Sequence, residues 1–179
     1  MTLPAECRTP RLVLRTLAAS DSDDLFSARG DPEVMVHWDA PRDSSPAETA
    51  AVTESLLAEM RSGASMYWAV RLSAGGDFVG ICDLGEIRPG ESADVGFMLV
   101  RAFWGRGFGN EVVQSLLSCA RAIDLKLLTA RIHSENQRSQ HLLSKSGFQV
   151  IDKLPRYEIR PGVFRDCVRL QCILRAGAS

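Results

Sequence analysis

The stretch of the chain that most restricts its fold joins a strand-like run to a long helical run: Trp104-Gly105-Arg106-Gly107-Phe108-Gly109-Asn110. Glycines alternate with larger residues here, so the backbone N–H groups can turn toward one point without obstruction by a Cβ atom. These groups also open the first turn of a helix, where the dipole contributes about half a positive charge. The loop therefore predicts a bound phosphate or pyrophosphate. A tight strand-to-helix turn without a ligand is the alternative interpretation.

The spacing of this loop excludes two well-known nucleotide-binding motifs. A P-loop requires Lys and then Ser or Thr after its last glycine, where this chain has Asn110-Glu111. The dinucleotide fingerprint requires G-x-G-x-x-G in an initial βαβ unit, whereas this G-x-G-x-G stretch follows a series of short strand-like runs. Neither motif accounts for the predicted phosphate ligand.

The hydrophobic pattern around the loop predicts a mixed α/β domain. Short turns join three strand-like runs at 66–72, 78–84 and 93–100, which is typical of an antiparallel meander. The strongest helix is predicted at 109–123, with one apolar face formed by Val112, Val113, Leu116, Leu117, Ala120 and Ile123. Further strands are predicted at 11–15, 127–132, 148–152 and 163–174, and further helices at 21–28, 47–61 and 134–145, the last opened by a capping box at Ser134. Most of 31–45 is predicted to be loop.

Composition restricts the partners of this domain. Lys and Arg total 21 against 22 Asp and Glu, so a protein that grips nucleic-acid backbone through a basic excess is not expected. No stretch approaches the roughly 18 apolar residues of a membrane span, and the N-terminus lacks the pattern of a secretory signal. Five cysteines without a C-x-x-C pair indicate reduced thiols and a cytoplasmic protein. No metal is expected, because the three histidines show no ligand spacing. One domain over 1–179 is the simplest organisation.

Several further motifs, in this order, make the sequence resemble the GNAT superfamily of acyl-CoA-dependent N-acyltransferases. They are Thr9-Pro10-Arg11-Leu12-Val13-Leu14-Arg15, Phe78-Val79-Gly80, Ala93-Asp94-Val95-Gly96-Phe97, the glycine loop, Asn136-Gln137-Arg138-Ser139 and Ser146-Gly147-Phe148. The resemblance covers nearly the whole chain. Trp104 stands where the wider superfamily usually has Gln or Arg, which is similar to the RimJ/RimL-type branch containing ribosomal-protein N-terminal acetyltransferases.

The resemblance implies a GNAT fold and acetyl-CoA as co-substrate. The fold is a central mixed, mostly antiparallel twisted sheet of about seven strands flanked by about four helices. In the family the strand before the loop splays from its parallel neighbour, and the pantetheine arm enters the wedge. The implied cofactor-binding residues are the main chain of Phe97, Met98, Leu99 and Val100, the loop residues Trp104, Gly105, Arg106, Gly107, Phe108, Gly109 and Asn110, and Asn136 and Ser139 on the next helix. The amides of 106–110 are expected at the pyrophosphate.

The implied reaction is direct attack of a neutral amine on the acetyl thioester. An α-amino group titrates near about 8 and a lysine near about 10.4, so an N-terminal acceptor needs less help from a base. The candidate bases are Glu158, Asp83 and Asp94, in that order; Glu158 is equally well explained as a solvated loop carboxylate, and Glu86 is a further rival. By the resemblance, Ser139 protonates the departing thiolate. The alternative is a helix serine bonded back to a carbonyl.

The acceptor side is the least determined part of the prediction. His37 and Trp38 are assigned to the acceptor pocket because that region shapes acceptor binding in the family. The alternative for Trp38 is that it packs in the core. His133 and His141 are interpreted as packing or surface residues. The predicted acceptor is a primary amine, either of a protein N-terminus or of a small molecule. The sequence does not decide whether the protein is a homodimer. The competing hypothesis is an acyl-CoA-binding sensor or interaction domain without turnover.

Overall fold

The computed structural model describes residues 4–174, in which eight strands and five α-helices form a mixed α/β fold. The strands are Glu6–Arg8 (β1), Leu12–Thr16 (β2), Met66–Leu72 (β3), Phe78–Arg88 (β4), Ser92–Leu99 (β5), Leu127–His133 (β6), Gln149–Arg160 (β7) and Val163–Ile173 (β8). The helices are Ser22–Arg29 (α1), Pro32–Met35 (α2), Pro46–Ser62 (α3), Phe108–Ala122 (α4) and Gln137–Lys145 (α5). The predicted fold class is confirmed, and the predicted domain of 1–179 extends beyond the described residues at both ends.

One sheet contains all eight strands in the order β1-β2-β3-β4-β5-β6-β8-β7. Every neighbouring pair is antiparallel except β5 and β6, which are parallel. Pairing between these two strands covers only Ser92–Asp94 and Leu127–Thr129. Beyond that point β5 stays paired with β4, and β6 stays paired with β8, so the two strands diverge and open a wedge in the middle of the sheet.

The helices cover the two faces of the sheet in separate groups. Helices α4 and α5 pack on one face, where Trp68, Val70 and Leu84 join the buried residues of α4. All six predicted core residues of the α4 segment are buried. Helices α1 to α3 cover the opposite face, and their partners there include Ala69 and Ile81. No helix between residues 4 and 174 is both long and apolar enough to cross a membrane.

Several element boundaries differ from the prediction, each for a local reason. The capping box at Ser134 is wrong: Asn136 caps α5, its side chain accepting from the Ser139 N–H at 3.1 Å. The predicted loop of 31–45 contains the short helix α2, where Asp31 caps the first turn and Pro32 occupies the first position. Strand β1 is missed because three residues carry too little pattern, and β7 continues to Arg160 through register shifts.

Candidate active site

A cleft of about 1090 Å³ lies where β5 and β6 diverge. Successive side chains of a strand point to opposite faces, so a gap between two strands is lined from both sides of the sheet. On the face covered by α4 and α5 its wall includes Phe97, Leu99 and Phe108, and on the face covered by α1 to α3 it includes Tyr67, Asp83 and Met98. Two substrates can therefore approach the same point from opposite faces.

The glycine loop (residues 104–110) forms one wall of the cleft. Gly105 and Gly107 have φ angles of 73° and 84°, in the left-handed region that favours glycine. Helix α4 begins directly after Gly107. The backbone N–H groups of 105–109 have no hydrogen-bond acceptor among residues 4–174, whereas the Asn110 N–H donates to the Gly107 carbonyl at 3.2 Å. The free donors needed for an anion are therefore present, one residue earlier than the predicted 106–110.

The β1–β2 connection supports this loop from outside. The Arg11 guanidinium donates to both the Glu111 carboxylate and the Arg106 carbonyl, the latter at 3.0 Å. Its carbon lies 4.4 Å from the centre of the Phe108 ring. The Thr9 hydroxyl donates to the same Glu111 carboxylate at 2.6 Å. These contacts hold the Arg106 carbonyl and the first turn of α4 in place, so the free amides keep one orientation.

The edge of β5 offers backbone groups to the wedge. The Val100 N–H donates to Val79 on β4 at 2.9 Å, so strand alternation turns the backbone groups of Phe97 and Leu99 away from β4 and toward the wedge. The Leu99 carbonyl already accepts from the Trp104 indole N–H at 2.8 Å. Val100 and Arg106 are not among the residues that line the cleft. Of the predicted main-chain contacts, Phe97 and the Leu99 N–H are the ones available.

Helix α5 brings Asn136 and Ser139 to the cleft. The Asn136 amide oxygen is occupied by the cap of α5, which leaves its NH₂ group for a ligand. The Ser139 hydroxyl is half-buried and makes no hydrogen bond to any of residues 4–174, so it does not bond back to a helix carbonyl as Ser146 does. A hydroxyl that lines the cleft without a partner is free to donate there.

Asp83 faces the cleft from the side of α1 to α3. It pairs across the sheet with Gly96 on β5 and Tyr67 on β3. A Cβ atom at Gly96 would overlap the Asp83 carboxylate, so glycine is what lets the carboxylate lie flat on the sheet. No residue from 4 to 174 donates a hydrogen bond to this carboxylate. Burial, followed by the charges of Glu59 and Asp94, raises the pKa of Asp83 to about 7.

The other two candidate carboxylates occupy different positions. Asp94 lines the cleft on the same face as Asp83, is exposed, and accepts a hydrogen bond from the Thr129 hydroxyl. Glu158 is not among the lining residues. Its carboxylate accepts from the Gly162 N–H at 2.8 Å and closes the turn between β7 and β8. The leading candidate of the sequence prediction therefore lies outside the cleft.

The connection between α2 and α3 forms part of the cleft wall. His37 and Trp38 both line it, and Trp38 also packs against the core below α1 and α2. Asp39 holds this segment to β6 by accepting from Arg131 at 2.6 Å and by a 3.0 Å contact with the His133 imidazole. Burial opposes ionisation of Asp39, but these two hydrogen bonds outweigh it and lower its pKa.

Two residues of the cleft wall had no predicted role in the site. His133 was interpreted as packing or surface and is buried against Asp39 in the cleft wall. Tyr67 was overlooked; its hydroxyl donates to Glu59 at 2.7 Å, and burial and that bond raise its pKa. No local motif marks these residues, because each reaches the cleft through strand pairing. Within residues 4–174 no cluster of three metal-ligating side chains occurs.

A sheet split at a parallel pair, with free helix-end amides on one face and an unpaired carboxylate on the other, is an arrangement suited to a transferase with two substrates. Residues 11–149 match the family of acetyltransferase (GNAT) domains. The chain belongs to this family and is an N-acetyltransferase, as the sequence motifs predicted.

Relatives and solved structures agree with this assignment. The chain is 25% identical over 173 residues to an uncharacterized N-acetyltransferase p20 of Bacillus licheniformis, covering 96% of this chain and 97% of the relative. Its fold matches spermidine N-acetyltransferase of Vibrio cholerae in complex with CoA and spermine, with a TM-score of 0.81 at 21% identity, over 93% and 97% of the two chains. It also matches RimL, the ribosomal L7/L12 α-N-protein acetyltransferase, in complex with coenzyme A, with a TM-score of 0.83 at 19% identity, over 97% and 98%.

Proposed function

We propose that this N-acetyltransferase transfers the acetyl group of acetyl-CoA to a primary amine by direct attack on the thioester. The observation that carries the proposal is the row of free backbone N–H groups at 105–109, at the mouth of a wedge that leads to Asp83. Five adjacent donors at a helix N-terminus suit the pyrophosphate of CoA. The free backbone groups of Phe97 and the NH₂ group of Asn136 suit the amides of the pantetheine arm.

The two faces of the wedge suit the two proton transfers of the reaction. The attacking amine must lose a proton, and Asp83, with a pKa of about 7, is a base matched to neutral pH that accepts it directly or through water. The departing thiolate must gain a proton, and the unpartnered Ser139 hydroxyl on α5 donates it. Asp94 contributes negative charge beside Asp83 and raises its basicity.

The charges on the cleft face covered by α1 to α3 favour an acceptor amine that arrives protonated. The two arginines of this wall are each neutralised by an aspartate: Arg29 by Asp43 and Arg131 by Asp39. Asp83 and Asp94 have no such cationic partner among residues 4–174. An ammonium group is therefore attracted to the carboxylate that removes its proton. A protein N-terminus and a small-molecule amine both satisfy this condition.

The phosphate cradle is tested by a matched pair of variants, Gly105→Asp and Gly105→Asn. A Cβ atom at Gly105 would meet no other atom within 4 Å, and Asp and Asn both tolerate its positive φ, so the two variants differ mainly in charge. A carboxylate beside the pyrophosphate should weaken acetyl-CoA binding at least about tenfold relative to the asparagine variant, which corresponds to about 1.4 kcal/mol. Isothermal titration with acetyl-CoA measures the affinity of both variants. Equal affinities would refute the cradle.

Turnover is tested by measuring CoA thiol release against polyamines, aminoglycosides, small metabolites and peptide N-termini. Release that depends on one of these amines, together with a product heavier by one acetyl group, supports the proposal. Acetyl-CoA binding without turnover on any amine would refute it in favour of the acyl-CoA sensor.

A further inference from the structure

Two cysteines far apart in the chain meet where β1 packs against α4. The Sγ atoms of Cys7 and Cys119 are 3.0 Å apart, across 112 positions of sequence. A disulfide requires an S–S distance of about 2.05 Å, so an inward shift of about 1 Å would join them. We propose that Cys7 and Cys119 form an oxidation site that closes to a disulfide between β1 and α4.

The surroundings of the two thiols give each a distinct role. Cys7 is half-buried on β1, the outermost strand of the sheet, which has three residues and is paired on one side only. Cys119 is 3% exposed on the inner face of α4, and burial raises the pKa of its thiol. Cys7 is therefore the thiol that meets an oxidant first, and Cys119 is the one that resolves the product.

The step balances with a peroxide as the oxidant. The Cys7 thiolate attacks one oxygen of hydrogen peroxide, the O–O bond breaks, and Cys7 sulfenic acid and hydroxide form. The Cys119 sulfur then attacks the Cys7 sulfur, the S–O bond breaks, and water leaves with the Cys119 proton. The two thiols lose two electrons, and the peroxide gains them.

Other cysteines lack this arrangement. Cys82, Cys167 and Cys172 are buried, and none forms a hydrogen bond with another cysteine among residues 4–174. Cys82 lies near enough to Cys7 and Cys119 for their charges to raise the pKa of its thiol further above what burial does. It is therefore the only neighbouring competitor that the test must separate from the proposed pair.

The disulfide would tie the first strand to the helix that carries the glycine loop. A disulfide between residues 112 positions apart restricts the unfolded chain and so stabilises the folded protein. For a domain of 179 residues, the expected rise in melting temperature is about 10 °C. The rise should be reversed by dithiothreitol.

The test treats the full chain with a small excess of hydrogen peroxide, blocks free thiols by alkylation, and digests it with trypsin without reduction. Mass spectrometry should find the peptide ending at Arg8 joined to the peptide ending at Arg121, with the loss of two hydrogens. The link and the rise in melting temperature should both vanish in Cys7→Ser. Both should persist in the matched control Cys172→Ser.

Three outcomes would overturn the proposal. The first is complete alkylation of both thiols after peroxide treatment. The second is sulfinic acid at Cys7 without the linked peptide. The third is a link in which Cys82 replaces either member of the pair.

Discussion

Replacing Asp83 by asparagine should make the protein more stable at alkaline pH. The wild-type carboxylate is buried on the sheet without a hydrogen-bond donor among residues 4–174, and its pKa is raised from 3.8 to about 7. A carboxyl whose folded pKa exceeds its unfolded pKa stabilises the fold only while it is protonated. That contribution is complete below about pH 3.8 and is lost as the pH rises through 7. Asparagine has the same shape and never ionises, so the variant avoids the loss.

The magnitude follows from the two pKa values. Integrating the proton linkage, the wild type loses about 1.7 kcal/mol of unfolding free energy at pH 5 and about 4 kcal/mol at pH 8, relative to low pH. These are upper limits, because Asp83 is half-buried and keeps part of its surface in the cleft. The Asp83→Asn variant should therefore gain more over the wild type at pH 8 than at pH 5, by up to about 2.5 kcal/mol.

Urea unfolding followed by tryptophan fluorescence at pH 5 and pH 8 measures this difference. Asp94→Asn is the matched control: it removes the same charge from the same wall, but Asp94 is exposed and hydrogen-bonded to Thr129. Its effect on stability should change much less between the two pH values. A gain for Asp83→Asn that is the same at both pH values would refute the claim that this carboxylate is desolvated.

Further predictions concern the two faces of the cleft. Arg11→Met keeps an apolar side chain next to Phe108 but removes the guanidinium that bonds to Glu111 and to the Arg106 carbonyl, so the KM for acetyl-CoA should rise several-fold with kcat little changed. An unchanged KM would contradict the claim that Arg11 supports the loop. Ser139→Ala should lower kcat about 100-fold while acetyl-CoA binding in titration stays intact, and full activity would exclude the hydroxyl as the proton donor. Glu158→Gln should retain wild-type kcat in the thiol-release assay, because the Glu158 carboxylate accepts a hydrogen bond from Gly162 in the turn after β7. A large loss of kcat would indicate that Glu158 takes part in the reaction.

Elements with a strong local signal were predictable from sequence. The α4 pattern was within one residue of the helix observed, and the meander strands paired as expected, because periodicity and short turns are local properties. The glycine loop was also recognisable, since its free amides follow from residue type and from the helix after it. The predicted set of free amides was shifted by one residue, because the Asn110 N–H donates to the Gly107 carbonyl while the Gly105 N–H is free, and Arg106 does not line the cleft.

The acceptor side was not predictable, because strand register and loop placement bring its residues together. The sequence ranked Asp83 above Asp94 without a structural reason, and the pairing of Asp83 with Gly96 supplies one. Glu158 was ranked first because the ribosomal-protein branch that the sequence resembles has an acidic residue shortly before this turn, and here that carboxylate closes the turn. No sequence motif pointed to Asp39, although its hydrogen bond with Arg131 holds the segment of His37 and Trp38 against β6.

The near-neutral net charge is consistent with how the cleft separates its charges. Five backbone amides at 105–109 offer positive potential to a polyanion on one face, and the Arg11 guanidinium beside them is paired with Glu111. On the other face Asp83 and Asp94 offer negative potential to an amine, while Arg29 and Arg131 are held by their own aspartates. The sheet lies between these two fields and opens only at the wedge. In the proposed reaction, this separation of charge would direct a polyanionic co-substrate and an amine acceptor to opposite faces of the sheet, and the two would meet where β5 diverges from β6.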